Sequence, residues 1–352
     1  MPSLAAISTI DFPHKTSQQA VKNFAKRVFA PSFGDTERLL QVFDHSEIES
    51  RNLCKPLAYC EQPHTFEEQN REYIRLALAY SMEAAEKALS VAGLAKDKIT
   101  DLIFVSTTGL ATPGMDALII DRMRLNPHVN RMSIFGLGCG GGVSGFAKAC
   151  TLAKANPAAT VLLVAVELCS LTFLRHDASK SNFIGSCLFA DGVAACLILG
   201  DGVAHPATGK IGFQAARSRL YYDTQDIMGW DFTDNGFKVL FSPGIPALIA
   251  GNVREDVTAF LSAQGLTLSD IRNFIFHPGG KKVLSAYEAA LGMQEDALRF
   301  TREVMRNYGN MSSATVLYVL ARILQEYEQG YGLMMAMGPG FSSEMVLLQL
   351  NR

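Results

Sequence analysis

Three residues of this chain have side chains suited to nucleophilic acyl transfer: Cys139 in GLGCGGGVSG, His277 in FIFHPGG and Asn310 in YGNMSS. A thiolate attacks a thioester and holds its acyl group covalently, an imidazole serves as its proton and charge partner, and a carboxamide donates hydrogen bonds to an oxygen that turns negative. That set suffices to load an acyl group and to stabilise the enolate left when a malonyl thioester loses carbon dioxide. An aspartate in place of Asn310 would set a negative charge where the enolate develops, so the chemistry prefers the amide. Each residue alone has a plainer reading: Cys139 as a buried thiol in a turn, His277 as a satisfied residue at a strand end, Asn310 as a helix N-cap. Papain-like proteases also run Cys, His, Asn in this order, but their local signature C-G-[SA]-C-[WY] is missing here.

The flanking residues indicate how each group is positioned. Cys139 stands between the strand-like RMSIFGLG and the helix-compatible VSGFAKACTLAKA. This placement at a helix N-terminus predicts a thiol drawn toward the thiolate by the helix dipole, before any base helps. The surrounding glycines cost backbone entropy, so something must require them; a sharp bend and close approach of a ligand to bare backbone are the two physical reasons. His277 follows the apolar run FIF directly and precedes Pro278, Gly279 and Gly280, which sets an imidazole at a strand end on a tight turn. Asn310 sits at a turn entering the helical stretch SSATVLYVLARILQEY.

An internal repeat organises these elements. At an offset of 172 positions (Ala88 against Phe260), ALSVAGLAKDKITDLIF aligns with FLSAQGLTLSDIRNFIF. Each copy has a helical apolar period ending in Gly, read as a C-cap, followed by a short apolar run read as a buried strand. Leu78, Met82, Ala85 and Leu89 mark the expected buried face of the first helix. Within one residue of the same offset, GCGGGVSGFAKA aligns with GNMSSATVLYVL and TVLLVAV with YGLMMAM, so Cys139 faces Asn310 in the comparison. The prediction is an α/β protein of two similar halves with helix-covered sheets, residues 1–204 carrying the cysteine and 205–352 the histidine and asparagine. The boundary falls in LGDGVAHPATGK, Leu199 to Lys210, and a composite site forms where equivalent strand ends meet.

Composition narrows the function. With 352 residues, 48% of them hydrophobic, the chain can bury a large core. A net charge of -2 and no Lys/Arg-rich run argue against nucleic acid as a partner. No apolar run reaches the roughly 18 residues of a membrane span, and the N-terminus lacks a basic start followed by an apolar core, so a soluble cytoplasmic protein is expected. The seven cysteines, odd in number and without a CxxC pair, fit neither a disulfide framework nor a zinc cluster.

The motifs GLGCGGG, SLTF, SCLFADG, GWDFTDNGF, FHPGGKKV, GNMSSA and MGPGFSSE resemble those of the type III polyketide synthases, which include chalcone synthase, in the thiolase superfamily. The resemblance implies a layered αβαβα thiolase-like fold, a homodimer, and a buried cavity reached by a coenzyme A tunnel. Acyl-CoA and malonyl-CoA would be the substrates, with no further cofactor. It assigns Cys139 as nucleophile with His277 and Asn310 as partners, and Phe189 as gatekeeper between tunnel and cavity, where its plain reading is core packing. Thr107, Thr172 and Ser312 match cavity-lining positions, and Gly338-Pro339-Gly340 matches a turn bordering the site. Three positions depart from chalcone synthase: Val239 aligns with a second gatekeeper Phe, Cys169 with a cavity Thr and Trp230 with a cavity Gly.

A smaller residue at 239 leaves room for an apolar chain, and each buried methylene contributes about 0.8 kcal/mol. Basic residues that hold coenzyme A phosphates in plant members align with Arg38, Gln41 and His45; Lys281 and Lys282 either compensate or are solvated surface charges. The wording of GWDFTDNGFKV and HPGGKKV resembles bacterial members that make alkylpyrones from fatty acyl-CoA. The expectation is therefore an iterative synthase loading a long acyl starter and releasing an alkylpyrone. The alternatives are a resorcinol- or phloroglucinol-forming synthase, or a β-ketoacyl synthase that stops after one condensation; Phe189 in LFADG and the GNMSSA motif argue against the last.

Overall fold

The computed structural model describes residues 1–352 except Gly34, Asp35, Glu295 and Arg352. In chain order its strands are β1 (Ser3–Thr9), β2 (His14–Ser17), β3 (Ser50–Leu53), β4 (Asp101–Val105), β5 (Asn130–Ile134), β6 (Thr160–Leu168), β7 (Asp191–Leu199), β8 (Ile211–Leu220), β9 (Met228–Thr233), β10 (Gly236–Phe241), β11 (Ile271–Phe276), β12 (Gly330–Gly338) and β13 (Ser342–Leu350). Its helices are α1 (Gln18–Phe29), α2 (Thr36–Asp44), α3 (Phe66–Ala92), α4 (Met115–Met123), α5 (Gly141–Ala155), α6 (Lys180–Leu188), α7 (Ile245–Ser262), α8 (Lys281–Leu291), α9 (Arg299–Tyr308) and α10 (Thr315–Ile323).

The repeat seen in sequence is a repeat of structure. α3 and α7 both end near a glycine with positive φ, Gly93 at 65° and Gly265 at 72°. Each is followed by a 3-10 turn, Lys96–Lys98 or Leu268–Asp270, and then by β4 or β11. Nine strands form one sheet in the order β11-β12-β13-β8-β1-β7-β6-β4-β5. Within it β4 pairs parallel with β6, as β11 does with β12, and the next two pairings in each half are antiparallel. β1 meets β8 at Ser3 and Gly212, which joins the halves.

Alternating strand residues sort into three cores because successive side chains point to opposite faces. Ile103, Val105, Leu163 and Ala165 pack with Ile275, Met334, Ala336 and Val346 against α5 and α10 in one central core. Their neighbours Leu102, Phe104, Leu162 and Val164 turn outward onto α3 and α4, and Leu333, Met335, Met345 and Leu347 onto α7 and α8. The result is five layers, α3/α4, N-half strands, α5/α10, C-half strands and α7/α8. The expected αβαβα arrangement is therefore present.

The buried face of α3 differs in detail from its reading in sequence. Ala85 and Leu89 are buried, whereas Leu78 and Met82 are only half-buried, and Tyr73, Ala77, Ala84 and Ala88 form the tight contact instead. Alanines let the long helix approach the sheet closely, so the larger residues fall to its flank. α3 begins in a capping box, with Thr65 and Glu68 satisfying each other's backbone N–H groups.

Candidate active site

Cys139 lies in a 3-10 turn, Gly138–Gly140, immediately before α5. Asn310 precedes the corresponding turn, Ser312–Ala314, before α10. The two turns press together, and this explains the glycines. A Cβ at Gly142 would overlap the Ser313 carbonyl oxygen, and one at Gly138, whose φ is +43°, would sit 2.7 Å from Cδ of Pro339. The bare backbone thus admits the opposite half of the protein, whereas the sequence offered a ligand as one reason for it. Gly338-Pro339-Gly340 is wedged against the cysteine turn.

His277 follows β11 and donates its backbone N–H to the Met335 carbonyl at 2.8 Å. Its side chain, that of Asn310 and that of Cys139 line one cavity of about 20 Å³, closed by Met228, Phe241, Ile245, Ile249, Gly279, Val283, Tyr287 and Met337. Asn310 does not act as a simple helix cap. Its Oδ1 accepts the Ser312 N–H at 2.9 Å, which turns Nδ2 toward the Gly279 carbonyl at 3.3 Å. Its backbone also ties to the Phe189 segment: the Asn310 N–H donates to the Leu188 carbonyl and the Ala190 N–H donates to the Asn310 carbonyl. Ser312, at φ 47°, places its hydroxyl 3.9 Å from Cys139 Sγ.

Electrostatics here correct one expectation. Burial pushes the Cys139 thiol up to about 12 despite the turn at the helix N-terminus. Burial likewise takes His277 down to about 3, and both its ring nitrogens are buried without hydrogen-bond partners among the described residues. Desolvation is the largest cause of both shifts, and neither ion is favoured alone. Moving the thiol proton to the imidazole would make both charges at once, and their mutual attraction would oppose the burial cost.

A second cavity, of about 60 Å³, is lined by Phe189, Cys169, Thr172, Trp230 and Val239 together with Phe237, Phe24, Val21 and Leu57. Thr107 does not line either cavity. Its hydroxyl accepts the Gly138 N–H at 3.1 Å and its own N–H donates to Glu167, so it braces the cysteine turn. The wall between the cavities is aromatic: Phe189 meets Phe241 edge to face, with centroids 6.4 Å apart at 82°. Position 239 is small, as the sequence shows, but two residues on along the same face of β10 Phe241 supplies the aromatic partner. Val239 therefore faces the second cavity, while Phe241 packs against Phe189.

Comparison with known proteins places these features in a family. Residues 58–202 match the chalcone and stilbene synthases, N-terminal domain, and residues 213–351 match the C-terminal domain of the same synthases. The chain belongs to the chalcone and stilbene synthase family. It is a type III polyketide synthase, a condensing acyltransferase of a class that works on coenzyme A thioesters. It is 41% identical over 364 aligned positions to a putative chalcone synthase of Bacillus subtilis (strain 168), covering 100% of both chains. It is 34% identical to a 1,3,6,8-tetrahydroxynaphthalene synthase of Streptomyces peucetius subsp. caesius, covering 99% of this chain and 93% of that one. An alpha-pyrone synthesis polyketide synthase-like protein of Mycobacterium tuberculosis (strain CDC 1551 / Oshkosh) is 28% identical over 91% of this chain and 84% of its own. The crystal structure of 1,3,6,8-tetrahydroxynaphthalene synthase from Streptomyces coelicolor A3(2) superposes with a TM-score of 0.93 at 27% identity, covering 99% of each chain.

The four residues of this synthase expected at a coenzyme A mouth are all exposed: Arg38 and His45 at α2 and just beyond it, Lys281 and Lys282 at the start of α8. Lys281 lies 3.2 Å from Glu47, two residues past His45, which brings the two segments to one rim. That ion pair also offsets the charge Lys281 would offer a phosphate.

Two supporting residues escaped sequence reasoning. Glu167, at the end of β6, is fully buried and accepts hydrogen bonds from Thr107 N–H at 3.1 Å, Thr108 Oγ1 at 2.9 Å and Ser313 Oγ at 2.6 Å. It thus bolts the cysteine turn to the asparagine turn, and burial lifts its carboxyl to about 7. Arg51 is buried and donates to the carbonyls of Ser186, Cys187 and Phe189, clamping the backbone that carries Phe189.

Proposed function

We propose that this synthase loads a long-chain fatty acyl group from coenzyme A onto Cys139, extends it iteratively with malonyl-CoA, and releases an alkylpyrone by lactone closure. The observation that carries the starter assignment is the apolar second cavity behind Phe189. It shares Cys60, Ser170 and Phe173 with a wider cleft of about 290 Å³ that opens to solvent, and we assign the two together as the route of an acyl chain away from Phe189. The name of the mycobacterial relative points to the same product class.

In the first step the thiol proton passes to His277 and the thiolate attacks the acyl carbonyl. The carbon–sulfur bond to coenzyme A breaks, and the leaving thiolate takes the proton from the imidazolium. Malonyl-CoA then loses carbon dioxide, and the electron pair of the broken carbon–carbon bond becomes an enolate whose oxygen accepts hydrogen bonds from His277 and Asn310 Nδ2. The enolate carbon attacks the acyl-cysteine and frees the Cys139 thiolate. Return of the chain from coenzyme A to Cys139 allows the next round. In the last step an enol oxygen of the chain attacks its thioester carbonyl and expels coenzyme A. The sequence draws on no metal or organic cofactor.

The test is mass spectrometry of products from purified enzyme given malonyl-CoA and starters from acetyl- to stearoyl-CoA, with Val239→Phe in parallel. Pyrones peaking with long starters are expected. The Phe variant, which refills the second cavity, should lower long-starter turnover by roughly tenfold while sparing acetyl-CoA, since a few buried methylenes are worth that much. Products made from malonyl-CoA alone would move the chain to the ring-forming alternative, as the similarity to tetrahydroxynaphthalene synthase suggests.

A homodimer is part of the same proposal. β5 ends the sheet, and Phe135 directly after it is 46% exposed, stacked with Phe232, which is 56% exposed. An open strand edge beside exposed aromatics favours a second copy. Light scattering should return twice the 38.3 kDa chain mass; a monomer at micromolar concentration would refute this.

A further inference from the structure

Two segments that end at the site converge on Arg51. α6 ends at Leu188, and the carbonyls of Ser186, Cys187 and Phe189 accept from the guanidinium at 2.9, 2.6 and 2.8 Å. The carbonyl between them, that of Leu188, accepts the Asn310 N–H at 2.9 Å, and the Ala190 N–H donates back to the Asn310 carbonyl at 2.8 Å. β3, which carries Arg51, is tied in turn to the end of α9, the helix that leads into Asn310. The Glu49 N–H donates to the Arg306 carbonyl at 2.8 Å, and Ser50 Oγ donates to the Asn307 carbonyl at 2.9 Å. A Cβ at Gly309, whose φ is +71°, would lie 3.2 Å from the Leu188 carbonyl oxygen and 3.6 Å from Cβ of Arg51, so the three segments meet where Asn310 begins.

A cation at the C-terminal end of a helix is an ordinary cap, but this one is costly. Arg51 is 1% exposed, and burial lowers its pKa to about 10, although Cys187 and Asp191 favour the charge. Four of its five N–H groups are used, the fourth on Gln18 Oε1, and the Nε–H is buried without a partner among the described residues. For stability alone an apolar residue of similar volume often serves as well as a buried charge. What an apolar residue cannot do is hold three carbonyls of one turn in fixed places.

We propose that Arg51 is a positioning residue for Asn310: it fixes the turn from Ser186 to Phe189, against whose backbone Asn310 is registered, and so keeps the amide in place for the enolate oxygen. Arg51 itself touches no reacting atom. This inference rests on the role given to Asn310 under the proposed function.

The test is a double-mutant cycle on malonyl-CoA decarboxylation with Arg51→Lys and Asn310→Ala. Lysine keeps the charge but cannot fork to carbonyls that meet two separate nitrogens. Per folded enzyme, kcat of Arg51→Lys is expected to fall by roughly 10- to 100-fold, since displacing a reacting group by about 1 Å costs up to the larger figure. KM for malonyl-CoA should stay nearly unchanged, and acylation of Cys139 by acyl-CoA, followed by intact-protein mass spectrometry, should stay within a few-fold of wild type. In the Asn310→Ala background the same lysine should cost no more than about twofold, because the group it positions is gone. An unchanged kcat, an equal loss of acylation and decarboxylation, or full additivity with Asn310→Ala would overturn the proposal. Wild-type decarboxylation by Asn310→Ala alone would instead sink the role of Asn310, whatever Arg51→Lys does. Should Arg51→Lys fail to fold, Gln18→Ala, which withdraws one acceptor and leaves the guanidinium in place, enters the cycle under the same criteria, with a several-fold loss of kcat expected.

Discussion

Cys139→Ala is expected to abolish product formation, with turnover of acyl-CoA and malonyl-CoA to polyketide falling by roughly 10⁴-fold or more, because the covalent intermediate has no other holder. Cys139 is the thiol that shares a cavity with His277 and Asn310; Cys60 and Cys169 line the outer cavity on the far side of the Phe189–Phe241 wall. The variant should fold, since the change removes one sulfur from a turn held by Thr107, Glu167 and Pro339. Intact-protein mass spectrometry after incubation with a long-chain acyl-CoA should show an acyl adduct on the wild type and none on the variant. Decarboxylation of malonyl-CoA should continue, because His277 and Asn310 remain in place. Full turnover by the variant would sink the covalent mechanism.

The fold was legible where local signals repeat. Gly93 and Gly265 mark helix ends in each half because only a residue tolerant of positive φ closes a helix this way, and of the strands after them β4 is buried throughout and β11 exposes only Arg272. The alanine face of α3 was misjudged because close packing uses small residues, whereas a search for periodicity weights large ones. At the site, Cys139, His277 and Asn310 each stand in a turn that announces itself. Glu167 and Arg51 do not, since the groups they hold at the site lie 59–146 residues from Glu167 and, for the backbone carbonyls around Phe189, 135–138 residues from Arg51, and are brought to them only by folding.

The register of β10 shows a different kind of blind spot. Alternation puts Phe237, Val239 and Phe241 on one face, and alignment of a single position identifies the valine as an opening. Only the packed structure shows that Phe241 meets Phe189 while Val239 looks into the outer cavity. The electrostatics were hidden for a related reason. The dipole of a helix is readable from the order of its residues, but the desolvation that opposes it depends on what the other half of the chain brings against the turn.

Asn310→Ala should slow malonyl-CoA decarboxylation by about 10²- to 10³-fold, the usual cost of removing one donor from an oxyanion site, while leaving acyl loading onto Cys139 intact. The Asn310 side chain is held so that its amide nitrogen faces the cavity: Oδ1 is occupied by the Ser312 N–H at 2.9 Å, and the backbone on either side is tied to Leu188 and Ala190. Alanine removes the donor and also frees Ser312, so the melting temperature and the yield of acyl-enzyme serve as controls for a loosened turn. Asn310→Asp keeps the acceptor for Ser312 but replaces the donor with negative charge beside a developing enolate. It should therefore decarboxylate no faster than the alanine variant, although its turn is better held. An aspartate variant near wild-type rate would mean that the amide is there to shape the turn, and that His277 alone carries the enolate.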